Sequence, residues 1–231
     1  MHSVVKNEGA FTMGTRIWVN AAVAALALAM VLLLASPYAV TNAQLSPSAP
    51  VYRTCDRGEV SLVIALSWDA SALSGLLDSL DKAGVKASFA VTGELAKANP
   101  ELVRLIEGNG HETLVLASGM EPASAAGAVG EASGKAPYAV FCGDRDPALV
   151  ARVAKGSGLR VIAATVDLAS AEGTFRELVN RAGNVSGGMI LAAEPTESLE
   201  LALPEILEKI KNMGLDIVPT HKMLYNNNGG I

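Results

Sequence analysis

The sequence predicts an α/β domain built on a parallel sheet covered by helices. Three observations carry this. Val60–Ser67 is a largely apolar run of strand length, as expected for a strand buried on both faces. Leu73, Leu76, Leu77 and Leu80 recur at helical spacing and give the next segment one apolar stripe. Segments of these two kinds then alternate along the chain, from residue 59 to about residue 223.

The elements follow in order. After Val60–Ser67, Asp69 and Ser71 offer caps for the leucine-striped helix, and Gly84 ends it. Lys86–Val91 is a second strand. Asn99-Pro100 opens a helix with proline at its first position, and Leu102, Val103, Leu105 and Ile106 form its expected buried face. Glu112–Ala117 is a third strand. The alanine- and glycine-rich stretch Ala123–Gly134 reads as a loose loop or a weak helix. Tyr138–Cys142 is a strand, Pro147–Lys155 a helix, Arg160–Val166 a strand, Glu172–Arg181 a helix and Gly188–Ala193 a strand. Leu199–Met213 is a long helix with Ala202, Ile206, Leu207 and Ile210 inward, and Leu215–Val218 a short last strand. Periodicity alone does not separate an open doubly wound sheet from a barrel.

Composition narrows the function. The 231 residues are 50% hydrophobic and 4% aromatic with a net charge of −5, and no basic face is evident, so nucleic acid is not an expected partner. Residues 1–16 carry Lys6 and Arg16 ahead of a hydrophobic segment, 17–40, in which Ala21–Ala35 has no polar residue. That segment reads either as a cleaved signal peptide, with Thr41-Asn42-Ala43 as the exit, or as a single membrane anchor. Met13 is an alternative start. The basic residues favour the cytoplasmic side, so the domain is expected outside the cytoplasm and the membrane is a partner of the N-terminal segment. Residues 41–58 read as a linker, 59–223 as the folded domain and 224–231 as a disordered tail. Cys55 and Cys142, the only cysteines, are either a disulfide or two free thiols.

Val60–Ser118 resembles the opening half of the polysaccharide deacetylases, the NodB-homology family of metal-dependent carbohydrate esterases (carbohydrate esterase family 4). The resemblance rests on VSLVIALSWDAS, GVKASFAVTG and NPELVRLIEGNGHE. Further on, Gly134-Lys135-Ala136-Pro137 matches the family's GKxP. The resemblance implies a distorted (β/α) barrel with its chemistry at the C-terminal strand ends, preceded here by the one hydrophobic segment. Family members use zinc or another divalent metal.

The same resemblance implies a degraded site. Ser67-Trp68-Asp69-Ala70 stands where the family reads TFDD. Asp69 matches the catalytic base and Ala70 a metal-binding aspartate. The two metal-binding histidines fall on Leu116 and Met120. His111 is structural in the family. Asp167 matches the first aspartate of VDxxDW. Gly188–Glu194 matches GSIILLHD, with the catalytic histidine on Ala193. Residues Ala70, Leu116 and Met120 offer no hard ligand, so no metal or other cofactor is expected. Asp69 serves equally as a helix cap. Asp144 and Glu194, at predicted strand ends, and His221, past the last strand, are further candidates for a polar binding mouth. The expectation is therefore a cell-envelope or sporulation protein, deacetylase-like but catalytically silent, that binds cell-wall glycan or has a structural role. The alternatives are an active N-deacetylase with a rebuilt site and a protein-interaction domain.

Overall fold

A computed structural model describes residues 49–55, 58–68, 70–168 and 174–225. All of them belong to one unit, Ser46–Ile231. The hydrophobic segment, Asp69 and residues 226–231 of the expected tail lie outside the described residues, whereas Leu224 and Tyr225, read from sequence as the start of that tail, are helical and Leu224 is buried.

The first half runs β1 (Glu59–Leu66), α1 (Leu73–Lys82), β2 (Ser88–Val91), α2 (Gly93–Ala98), α3 (Pro100–Gly108), β3 (Glu112–Leu116) and α4 (Pro122–Ser133). The second half runs β4 (Ala139–Phe141), α5 (Pro147–Val153), β5 (Arg160–Ile162), β6 (Val166–Asp167), α6 (Phe175–Ala182), β7 (Ile190–Ala193), α7 (Glu197–Asn212), β8 (Asp216–Ile217) and α8 (Thr220–Tyr225). All the strands pair in parallel, in the order β5-β4-β3-β2-β1-β7-β6. β8 joins only Glu59 and Val60, the first residues of β1, below the stretch Ser61–Ile64 that pairs with β7.

The expected strand Arg160–Val166 is divided, and the division shapes the fold. Its lower part, β5, pairs with β4; its upper part, β6, pairs with β7. A bend at Thr165 turns the segment from one neighbour to the other, and Thr165 N–H already donates to Ile190 O at 2.7 Å. One extended segment thus joins both edges of the curled sheet into a distorted barrel. Val51–Thr54, assigned by sequence to the linker 41–58, fills the lower seam. Val51 N–H donates to Val161 O, Ala163 N–H to Val51 O and Thr54 N–H to Gly188 O, each at 2.9 Å. These bonds satisfy backbone groups that an open edge would leave unpaired.

Side chains alternate across the sheet. Leu62, Ile64 and Leu66 of β1 face outward into a core shared with the helices, where Leu73, Leu76, Leu77 and Leu80 of α1 are all buried. Val63, Ala90, Leu114, Phe141 and Ile190 face inward and form a second cluster with Met223 and Leu224 of α8. α8, which the sequence reading missed, therefore closes the barrel floor. α2 was also missed. On α3, Val103 and Ile106 are buried as expected, but Leu105 is 46% exposed. The cap of α1 differs from the expectation at Ser71: Ala72 holds that position and its own side chain makes no capping bond, while Asp69 lies outside the described residues. The stretch Ala123–Gly134 is helical, and Gly134 ends α4 at φ 75°. Cys55 is an exposed free thiol and Cys142 a buried one, so there is no disulfide between them. Burial, with Asp146 nearby, pushes the Cys142 thiol up to about 12.

Candidate functional site

The C-terminal ends of β1, β2, β3, β4 and β7 surround an open cavity of about 360 Å³. Such rims collect loops from several strands, which lets them host ligands. Its wall includes Glu94, Leu116, Ser118, Asp144 and Glu194, with Trp68 80% exposed at the edge and Arg145 nearby. Local bonds set these groups. Thr92 caps α2 by accepting from Leu95 N–H at 3.2 Å and donates to Ser67 O at 3.3 Å. Ser118 Oγ donates to Glu94 Oε2 at 2.9 Å and accepts from Met120 N–H at 3.3 Å. Gly143 takes a left-handed φ of 55°, and a side chain there would press on Leu116.

Of the residues singled out from sequence, Asp144 and Glu194 line this cavity together. Asp167 pairs in register with Ala192, while its neighbour Val166 packs outward on the core, so alternation turns Asp167 toward the mouth. The Glu194 carboxyl is held above its ordinary value, first by burial and then by the carboxylates of Asp144 and Asp167. Asp69 lies outside the described residues. Trp68, Glu94, Ser118 and Arg145 were not singled out. Their signal was positional: each follows closely on the end of a parallel strand.

The positions matched to metal ligands are apolar. Leu116 faces the barrel interior and forms part of the mouth wall. Met120 lines a neighbouring apolar cleft of about 100 Å³ with Pro122, Leu149 and Val150. Ala70 is half-buried against the outer core. Among the described residues, no three histidine, cysteine, aspartate or glutamate side chains are grouped to hold a metal ion. A hydrocarbon at Leu116 does not fit a zinc-type site, which needs nitrogen, oxygen or thiolate donors.

The placement of the lost histidine at Ala193 needs correction. Ala193 is buried in the outer core, on the face away from the mouth. Ala192 and Glu194 share the other face, and it is Glu194 that reaches the cavity.

His221 also needs correction. β8 pairs low on β1, so the chain enters α8 at the floor and not at the mouth. There His221 N–H lies 3.3 Å from both oxygens of Glu112, and its ring packs edge-on to Tyr138 at 5.2 Å between centroids. The floor is polar beneath its apolar plug. Thr220 Oγ1 lies 2.7 Å from Ser61 Oγ and 2.9 Å from Ser88 Oγ, and Ser88 Oγ donates to Glu112 Oε2 at 2.5 Å. Burial raises the Glu112 carboxyl, and these hydrogen bonds partly oppose it. Ser61, Ser88 and Glu112 are polar residues in largely apolar strands, the sequence signal for this network. His111, as the resemblance implied, is structural. Its Nδ1 accepts from Ala87 N–H at 3.1 Å and its ring meets Phe89 edge-on.

Residues 47–114 match the polysaccharide deacetylase family model. No curated protein matches the sequence. Solved structures share the fold. A carbohydrate esterase family 4 pseudoenzyme from Bacillus anthracis aligns with a TM-score of 0.71 at 22% identity, over 77% of this chain and 69% of that one. The family 4 carbohydrate esterase from Streptomyces lividans, in complex with acetate, aligns with a TM-score of 0.64 at 18% identity, over 71% and 93%. A mutant of the peptidoglycan deacetylase PdaC from Bacillus subtilis aligns with a TM-score of 0.65 at 16% identity, over 74% and 92%. The stretch 47–114 is thus similar to the polysaccharide deacetylase family, and the curled parallel barrel has the fold of the family 4 carbohydrate esterases.

Proposed function

We propose that this domain is a catalytically silent deacetylase-like module whose mouth binds cell-envelope glycan. One observation carries the reading: Leu116, in the mouth wall where the resemblance implies a metal-binding histidine, offers only hydrocarbon. Ala70 and Met120 extend the same loss. Without a Lewis acid, the attacking water keeps its ordinary pKa and the deacetylase reaction has no nucleophile. The mouth remains open and polar, which suits a ligand that is held and not cleaved. The apolar run within 17–40 supports placement outside the cytoplasm, where such glycan occurs, although it lies outside the described residues. A reporter fused after Tyr225 should be active only on the extracytoplasmic side. Activity confined to the cytoplasm would overturn that placement.

A second reading, an N-deacetylase with a rebuilt site, has one observation in its favour. Glu194 reaches the mouth with its carboxyl held above the ordinary range, as a proton donor requires. The pseudoenzyme fold of Bacillus anthracis also exists as a mutant with restored enzymatic activity. The two readings separate in one experiment. The protein is reconstituted with zinc, cobalt or manganese, then analysed for metal and assayed for acetate release from N-acetylglucosamine oligomers. Silent binding predicts no stoichiometric metal and no acetate. Bound metal, with acetate release abolished by Asp69→Asn, would establish the second reading.

A further inference from the structure

We propose that Trp68 is a stacking platform that holds a neutral or amine-bearing pyranose ring over the mouth cavity. This deepens the glycan-binding reading and rests on it. Tryptophan is strongly buried on average in folded proteins, yet this indole is 80% exposed. It does not pack into the core, and it sits on the rim of the mouth cavity formed at the parallel strand ends. An exposed indole offers a flat apolar face with negative potential. The C–H-bearing face of a pyranose is its complement, flat and weakly positive. The rest of the wall suits the ring's edge. Glu94, Asp144 and Glu194 accept hydrogen bonds from hydroxyl or amine groups, while Arg145 donates. The cavity, at about 360 Å³, falls within the range of small-ligand sites.

Charge narrows the class further. Among the described residues, three carboxylates face one guanidinium in this wall, and Asp167 adds another acid beside Glu194. A uronate would bring a further negative charge into that field, whereas a neutral sugar would not and an ammonium would be attracted. The platform therefore favours neutral or amine-bearing rings over uronic acids.

The chain contains two tryptophans, Trp18 and Trp68, so a Trp18→Phe background leaves Trp68 as the sole indole emitter. The full-length protein in this background, in mild detergent, is titrated with oligomers of N-acetylglucosamine, glucosamine and galacturonate. The proposal expects the Trp68 emission to shift to the blue with the first two and not with the third. It expects Trp68→Ala to weaken binding roughly tenfold with an unchanged melting temperature, and Trp68→Phe to retain most of the affinity. If the oligomers bind by calorimetry but the emission does not move and Trp68→Ala binds as well as the parent, the platform is overturned and the glycan reading stands. If no oligosaccharide binds, both are overturned. Equal binding of the uronate would overturn the charge argument.

Discussion

Acidification should destabilise this domain through one side chain, His111. The imidazole is 3% exposed. Its Nδ1 accepts from Ala87 N–H, which fixes the neutral tautomer with the proton on Nε2. A charged ring would have to give up that bond, because both nitrogens would then be donors. Burial, reinforced by the ammonium of Lys86 and partly opposed by Asp81, lowers the pKa from 6.5 to about 4. In the unfolded chain His111 takes up a proton near pH 6.5; in the fold it resists until about pH 4. The unfolded state therefore binds more protons across that window, and stability falls as pH drops through it. The loss begins near pH 6.5, is complete below 4 and amounts to at most about 3.5 kcal/mol from this group. Urea unfolding from pH 7.5 to 4 would measure it in the parent and in His111→Asn, whose side-chain oxygen still accepts from Ala87. The variant should lose about 1–2 kcal/mol at pH 7.5 through altered packing. Its stability should then fall less steeply on acidification than that of the parent. Parallel pH profiles for the two proteins would refute the assignment, as would an NMR titration of His111 with a pKa near 6.5.

Other expectations follow from packing and exposure. A Cβ on Gly93 would come within 2.8 Å of Ala125 Cα, backbone that cannot step aside, so Gly93→Ala should cost about 1–3 kcal/mol by thermal unfolding. Gly127→Ala, in open space on the exposed face of α4, should instead stabilise by about 0.5–1 kcal/mol and serves as the control. In the native protein an aromatic disulfide reagent at pH 8 should titrate Cys55 alone. Cys142, buried and held as thiol, should react only after denaturation.

Much of the fold was legible because strand and helix periods differ. The α1 stripe and the apolar β1 run could not be exchanged without exposing core. Pairing partners were the harder part. Nothing in Arg160–Val166 signals that one extended segment pairs first with β4 and then, after Thr165, with β7. Nothing in Val51–Thr54 marks it as a seam filler, because its bonds are made by backbone. α8 and the floor position of His221 stayed hidden for a related reason. Where β8 sits on β1 is a matter of register, and register depends on long-range contacts. In the site, the acidic residues were recognisable because parallel strand ends converge. The misplacement at Ala193 was avoidable: strict period-two counting along β7 puts Ala192 and Glu194 on one face and Ala193 on the other.

The barrel is fastened by two segments that flank its strands and helices in the sequence. Val51–Thr54 fills the seam and Thr220–Tyr225 stoppers the base, where Thr220 meets Ser61, 159 positions away in sequence. Everything between them lacks either a finished wall or a finished base until both arrive. Contacts of such sequence separation make for slow closure. A fragment ending at α7 should thus collapse around its helices yet leave a wet, unplugged interior. The six-residue helix that completes the base thus lies at the opposite end of the strands from the mouth.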